Sequence, residues 1–239
     1  MVMRKILCFG DSLTRGMPGV TYLKHFKNKD KYINFGLGGD TVIGMTERLI
    51  KTIKKDKYKD ITDIVVGIGV NDILLPFLEG YAPSWKRRVK SFNKRGSIPC
   101  IDEYHFLIEY TKLVKILNET SKNIIIFSIP YIESEDIKFN NKVDIYNIVI
   151  QDLCNQNNIV YIDFKAIQQK IKDNLNNTGS SFMSKNRLRV ITDTLLTSFL
   201  PFSSYVSKKR GLALTVDGCH LNNVSAKVLA EEIEKCLNK

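Results

Sequence analysis

Four short segments of the sequence carry residues whose types could together perform acyl transfer. They are Gly10-Asp11-Ser12, Gly38-Gly39, Gly69-Val70-Asn71 and Asp217-Gly218-Cys219-His220. A serine hydroxyl becomes a strong nucleophile when a base removes its proton, and His220 is of the type that serves as this base. Asp217 lies three residues before His220, close enough in a tight turn to hold the second ring nitrogen. Ser12, His220 and Asp217 are therefore candidate catalytic residues of a serine hydrolase.

Attack of a serine on a carbonyl group places negative charge on the carbonyl oxygen. That charge is stabilised best by hydrogen-bond donors that are already in place. The backbone N–H groups of Ser12 and Gly39 and the side-chain amide of Asn71 are candidate donors. We predict that these three groups form an oxyanion hole.

The sequence contains no pattern that indicates a metal or a cofactor. The five cysteines are widely spaced and include no Cys-x-x-Cys pair, which argues against a zinc site and against a disulfide framework. Neither a Gly-x-Gly-x-x-Gly fingerprint nor a Walker loop occurs, so no nucleotide cofactor is indicated. We therefore expect neither a metal nor a cofactor.

Hydrophobic periodicity predicts the elements that must position these residues. Runs typical of strands occur at 5–9, 32–35, 61–68, 123–129 and 159–164. Helical spacing of apolar residues occurs at 42–53, 104–117, 142–153 and 222–237, and Asp40 is the expected N-cap of the first of these helices. Strands that alternate with helices predict an α/β fold with a parallel sheet. Because ligands bind beyond the carboxyl ends of such strands, the four segments are expected at one rim of the sheet.

Length and composition indicate an ordinary globular protein. The chain has 239 residues, of which 44% are hydrophobic and 26% charged, and we expect one domain spanning 1–239. It contains no run of about 18 apolar residues and no signal-peptide pattern, so we expect no membrane span and a cytoplasmic location. The net charge is +11, and a basic cluster without acids lies between 82 and 101. This cluster fits either a solvated surface or contact with an anionic partner.

The four segments, in this order, resemble the sequence blocks of the SGNH hydrolases, the GDSL-type lipases and esterases. The resemblance covers 5–72 and 217–224, and its second block, Leu37-Gly38-Gly39, departs most from the family pattern. It implies a flavodoxin-like, three-layer α/β/α domain with a shallow site. It also implies Ser12 as the nucleophile, Gly39 and Asn71 as oxyanion donors, and Asp217 with His220 as the rest of a catalytic triad.

Two stretches, 76–102 and 165–216, match nothing in that pattern and are interpreted as insertions. Each borders one of the four segments, so both are expected to wall the pocket. The first would supply a basic wall through Arg87, Arg88 and Arg95, and the second an apolar wall through Phe199, Phe202 and Tyr205. The alternative is that the insertions pack elsewhere or form an oligomer contact.

The hypothesis favoured by these residues is an esterase that removes an O-acyl or O-acetyl group through an acyl-enzyme intermediate. Its substrate would be a small-molecule, carbohydrate or lipid ester, and the sequence identifies neither the substrate-binding residues nor the oligomeric state. A thioesterase or acyltransferase on the same fold is the first alternative. A basic, non-catalytic domain that holds an anionic polymer is the second, and the complete set of Ser12, Asn71, Asp217 and His220 argues against it. Binding of nucleic acid is therefore not expected.

Overall fold

The structure is a computed structural model that describes residues 4–175 and 179–238. Five parallel strands form the central sheet in the order β2-β1-β3-β4-β5. The strands are β1 (Ile6–Gly10), β2 (Tyr32–Gly36), β3 (Asp63–Gly67), β4 (Asn123–Phe127) and β5 (Val160–Ile162). This is the strand order of flavodoxin-like folds, so the predicted fold class is confirmed.

The two faces of the sheet can be identified from neighbouring residues of β1, because successive side chains of a strand point to opposite faces. Phe9 stacks on Phe35 and lies under the guanidinium of Arg48. Cys8 instead contacts the hydroxyl of Tyr22. Every residue of β1 and β3 is buried, which agrees with helices that cover both faces.

Helices supply most of the described core outside the sheet. They are α1 (Ser12–Arg15), α2 (Val42–Ile53), α3 (Val70–Tyr81), α4 (Pro83–Lys94), α5 (Glu103–Glu119), α6 (Ile137–Gln156), α7 (Phe164–Asn174), α8 (Arg187–Thr194), α9 (Ser203–Lys209) and α10 (Asn223–Leu237). A π-helical turn, Leu195–Phe199, extends α8. Helices α2, α5 and α6 pack side by side on the face of Phe9, and α10 packs on the turn Tyr22–His25 that carries Tyr22. No helix in the described residues has the length and apolarity needed to span a bilayer.

The two unmatched stretches are largely helical. The first includes the end of α3, which continues through Pro76, and all of α4. The second contains all but the first residue of α7, and all of α8 and α9. The prediction that Asp40 caps α2 is wrong by one residue, because Thr41 is the N-cap and its hydroxyl accepts from the N–H of Gly44.

Three glycines lie level with one another where β2, β1 and β3 end: Gly36, Gly10 and Gly67 pair across the sheet. A Cβ at Gly67 would overlap the ring of the buried Phe127 on β4. The absent side chains let neighbouring elements approach the rim closely. The local packing at this end of the sheet therefore depends on glycine.

Replacing Gly67 with alanine should lower the free energy of unfolding by about 1–3 kcal/mol, because the added methyl group overpacks the Phe127 contact. The matched control is Gly80→Ala on the exposed side of α3, where a Cβ would meet no atom within 4 Å. That change should raise the free energy of unfolding by up to about 1 kcal/mol through helix propensity. Urea unfolding of both variants measures the two values, and a Gly67→Ala protein as stable as the parent would contradict the packing argument.

Candidate active site

Ser12 lies at the rim because β1 turns directly into a short helix. Asp11 caps α1, and its Oδ1 accepts from the N–H of Leu13 at 2.8 Å. Gly16, with φ of 76°, ends the helix in the left-handed conformation that glycine adopts without strain. Ser12 is the first residue of α1 and is only 7% exposed. Its side chain is therefore held at the carboxyl end of the central strand.

The turn before α10 brings Asp217 and His220 to Ser12. Asp217 Oδ1 accepts from the backbone N–H of His220 at 2.9 Å, and Asp217 Oδ2 lies 2.8 Å from His220 Nδ1. His220 Nε2 lies 3.0 Å from Ser12 Oγ. The hydroxyl, imidazole and carboxylate thus form one continuous hydrogen-bonded series.

The pKa values of His220 and Asp217 depend on burial and on the interaction between the two side chains. Burial alone would lower the pKa of His220, but the charge and hydrogen bond of Asp217 outweigh it, so the pKa lies above the usual 6.5. Burial would raise the pKa of Asp217, yet the charge of His220 and its hydrogen bonds hold that pKa below the ordinary value. Asp217 therefore stays ionised and stabilises the imidazolium form of its partner.

Gly39 occupies a turn that requires glycine. The N–H of Asp40 donates to the carbonyl of Leu37 at 3.0 Å, and Gly39 has φ of 74°, as in a type II turn. A Cβ at Gly39 would also overlap the ring of Phe92. The carbonyl of Gly38 accepts a hydrogen bond from Arg95 Nη2. Since the C=O and N–H of a trans peptide point in opposite directions, the N–H of Gly39 points away from Arg95.

Asn71 lies in the first turn of α3, and its amide is already hydrogen-bonded. Nδ2 donates to the carbonyl of Asp40 at 2.8 Å and to Asp11 Oδ2 at 3.2 Å. Asp11 is fully buried, and burial raises its pKa to about 7 against the opposing effects of the Leu13 N–H and of His220. A carboxyl group that titrates near neutrality therefore lies beside the amide of Asn71.

Further buried and partly buried polar groups fix the loop between β2 and α2. Arg48 donates from Nε to Asp40 Oδ2 at 2.7 Å and from Nη2 to the carbonyl of Gly10 at 3.1 Å. Asp72 accepts from the N–H of Val42 at 3.1 Å and from the N–H of Cys100 at 3.0 Å. These contacts tie α2 and the segment after α4 to the rim. Sequence reasoning missed Arg48, because nothing local links it to Asp40.

The buried Glu133 holds the segment that leads to Asp217. Its Oε1 accepts from the N–H of Ala213 at 2.8 Å, and its Oε2 accepts from the N–H of Thr215 at 2.8 Å and from the Thr215 hydroxyl at 2.6 Å. The backbone N–H of Glu133 donates to the carbonyl of Gly218 at 2.8 Å. Sequence reasoning missed this residue too, although its position just after β4 places it at the same rim.

Ser12, Gly39, Asn71, Asp217 and His220 line one cavity of about 340 Å³. The predicted basic wall is correct for Arg88 and Arg95, whereas Arg87 faces an adjoining cavity of about 330 Å³.

The predicted apolar wall is wrong for Phe199, Phe202 and Tyr205, which are exposed and do not line the cavity. Most of the apolar lining comes instead from α3, α4 and α8 and the residue that follows α8: Leu74, Leu75, Leu78, Trp85, Phe92, Val190, Ile191 and Leu195. The second stretch thus borders the site with α8 and not with α9.

Within the described ranges no group of three or more His, Cys, Asp or Glu side chains could hold a metal ion.

Comparison with known proteins identifies the family. A model of the GDSL-like Lipase/Acylhydrolase family matches residues 8–183, a range that contains Ser12, Gly39 and Asn71 and ends before Asp217. No curated protein sequence gives a significant match.

Similar solved structures include an acetyl xylan esterase, AlAXEase, with a TM-score of 0.63 at 16% identity, covering 98% of this chain and 99% of that one. A lipase/acylhydrolase from Enterococcus faecalis gives a TM-score of 0.58 at 18% identity, covering 98% and 95%. A G-D-S-L family lipolytic protein from Veillonella parvula gives 0.62 at 17%, covering 99% of both chains. These likenesses show a shared fold. With most of its length matched by the family model, the chain belongs to the GDSL-like lipase/acylhydrolase family and is an ester-hydrolysing enzyme.

Proposed function

We propose that the protein hydrolyses a carboxylic ester in two steps through an acyl-enzyme, with Ser12 as nucleophile. The observation that carries this proposal is the 3.0 Å contact between His220 Nε2 and Ser12 Oγ, with Asp217 2.8 Å from the other ring nitrogen. His220 takes the serine proton as the hydroxyl attacks the ester carbonyl, and returns it to the departing alcohol. Water then attacks the acyl-serine with His220 again as base, releasing the acid and free Ser12.

The proposed oxyanion hole combines the N–H of Gly39, the amide of Asn71 and the N–H of Ser12. The hydrogen bond from Arg95 to the carbonyl of Gly38 polarises the same peptide that carries the Gly39 N–H, which makes that N–H a better donor. The carbonyl of Asp40 holds one Asn71 proton, and the proton directed at Asp11 is the one we assign to the oxyanion. The two backbone N–H groups belong to turns that are fixed before the substrate arrives, whereas Asn71 must share or exchange its longer hydrogen bond, to Asp11 Oδ2, with the oxyanion.

The chemistry of the site applies equally to oxygen esters and thioesters, and an alcohol in place of water would give acyl transfer. No contact in the described structure favours either alternative over ester hydrolysis. The non-catalytic binding domain has no supporting observation of its own.

Ser12→Ala should lower kcat for a p-nitrophenyl ester by a factor on the order of 10⁴ or more, because the acyl-enzyme can no longer form. A fluorophosphonate should label Ser12 in the parent protein and leave the variant unlabelled, as intact-mass and peptide analysis would measure. Labelling at another residue, or full activity in the variant, would overturn the assignment.

The pH dependence should report His220. A general base must be neutral, and the pKa of His220 lies above 6.5, so kcat/KM should fall with decreasing pH with a midpoint above 6.5. Asp11→Asn is the control, because Asp11 also titrates near neutrality and asparagine can still cap α1. The acid limb should persist in this variant, moved to slightly lower pH by loss of a nearby negative charge. Disappearance of the limb would assign it to Asp11 and not to His220.

Glu133→Gln should lower kcat by about tenfold and the free energy of unfolding by about 1–3 kcal/mol, because the amide nitrogen faces N–H groups that need an acceptor. Displacement of the Asp217–His220 turn should also move the acid limb of kcat/KM, a change that a general loss of stability would not produce. The matched control is the exposed neighbour Glu135→Gln, which should change neither value. Rates measured at 15 °C on protein shown to be folded by circular dichroism would test this, and an unchanged pH profile and kcat would refute the positioning role.

A further inference from the structure

The cavity above Ser12 has a cationic side. Arg15, Arg88 and Arg95 all belong to its lining, and they come from three separate places: the end of α1, the middle of α4 and the residue after α4. Burial lowers the pKa of Arg95 most, and the positive charges of Arg48, Arg88 and Arg15 lower it further against the opposing charge of Asp40. The arginines are therefore close enough to repel one another.

The acidic residues of the same lining are already paired. Asp193 receives two hydrogen bonds from Arg210 Nη2, at 2.8 and 2.9 Å, and Asp217 is paired with His220. The described lining of the cavity contains no other Asp or Glu, and Asp40, whose charge also acts on Arg95, is paired with Arg48. The lining thus has an excess of positive charge beside the nucleophile.

Two of the arginines are held in fixed positions. Arg95 donates to the carbonyl of Gly38 and, from Nε, to Ser97 Oγ at 3.2 Å. Its guanidinium lies 4.5 Å from the ring centroid of Phe92, and that of Arg88 lies 5.4 Å from the same centroid. Ring contacts and hydrogen bonds reduce the entropy lost when an anion binds. An arrangement of this kind is preorganised for a carboxylate or phosphate.

Another part of the lining is apolar. Leu74 and Leu78 lie one turn apart on α3, and Trp85 on α4 and Ile191 on α8 belong to the same lining. The leucines are buried beneath the surface, and Trp85 is 8% exposed. An alkyl or aryl group would displace water there without losing hydrogen bonds.

We propose that the natural substrate is an anionic amphiphilic ester. Its carboxylate or phosphate would bind at Arg15, Arg88 and Arg95, next to Gly38 and Gly39, and its apolar part would lie against α3, Trp85 and α8. Ser12 lines the same cavity as both regions, so the reacting carbonyl group would connect the charged part to the apolar part. This substrate class rests on the proposed serine esterase function.

The first test compares esters that differ only in charge. One pair is 4-butanoyloxyphenylacetate and its neutral primary amide, with the anion in the alcohol part. The second is monophenyl adipate and its neutral primary amide, with the anion in the acyl part. At about 10 mM salt, where screening extends over about 30 Å, kcat/KM should favour the anionic member of one pair by about tenfold or more. The preference should shrink at 0.5 M salt. Equal values within both pairs at low salt would overturn the proposal while leaving the esterase function intact.

The second test removes one charge at a time from the same helix. Arg88→Gln should reduce the anionic preference by about two- to fivefold, the usual range for a partly exposed charge pair. Lys90→Gln is the matched control, because it removes the same charge from α4 at a position that does not line the cavity. The control should retain the preference of the parent enzyme. Equal effects of the two variants would indicate general surface attraction and refute a site at Arg88.

A binding measurement separates this proposal from the catalytic one. Trp85 is the only tryptophan in the chain, so its fluorescence reports occupation of the cavity without turnover. Ser12→Ala protein would be titrated with 4-butanamidophenylacetate and monoanilide of adipic acid, and with the neutral primary amide of each. Tighter binding of at least one anion, with a dissociation constant that rises with salt, is the expected result. Equal affinity of anionic and neutral compounds would overturn the anion site even if every ester is hydrolysed.

Discussion

A buried carboxylate is stable only when hydrogen-bond donors surround it, and this constraint shapes the whole rim of the sheet. Asp11, Asp40, Asp72 and Glu133 are all at most 2% exposed. Each accepts a hydrogen bond from a backbone N–H or a side chain of another segment, and together these bonds connect α1, α2, α3 and the segment before α10. Because an unsatisfied buried charge costs several kcal/mol, loops that would otherwise be free to move are fixed.

The same carboxylates set the electrostatics of the site. Burial raises the pKa of Asp11 to about 7 and that of Asp72 to about 6, and repulsion among Asp11, Asp40 and Asp72 adds to this effect. Arg48 offsets part of this charge through its ion pair with Asp40 at 2.7 Å. Against the opposing effect of burial, the pKa of the proposed base His220 is raised by the charge of the ionised Asp217 and by that of Asp11, which changes near neutrality. Its basicity depends on both.

Local sequence patterns predicted the strands and helices whose burial determines the spacing of their apolar residues. The β-branched run at 61–68 contains β3, because a strand buried on both faces has consecutive apolar residues. The apolar spacing at 42–53 matches α2, because a helix buried along one stripe has apolar residues three and four positions apart. Helix α6 begins at Ile137, five residues before the predicted start, because the prediction did not use the N-cap Asp136 or the apolar Ile137 and Phe139 of the first turn. Arg48 and Glu133 were missed because their partners lie far away in sequence. Phe199, Phe202 and Tyr205 were predicted to line the cavity but are exposed, because the apolar character of a residue does not indicate which surface it contacts.

Glu133 also explains how two distant parts of the chain meet. The family match ends at 183, yet the proposed base and its carboxylate follow at 217–220, and His220 bonds to a serine 208 positions earlier. Glu133 follows β4, inside the matched range, and its side chain and backbone hold 213–215 and Gly218. The helices between 187 and 209 can therefore form part of the pocket while the turn that carries His220 stays anchored to the sheet. Glu133 therefore allows the helices between 187 and 209 to shape the pocket for the substrate. The turn that carries Asp217 and His220 keeps its position against Ser12.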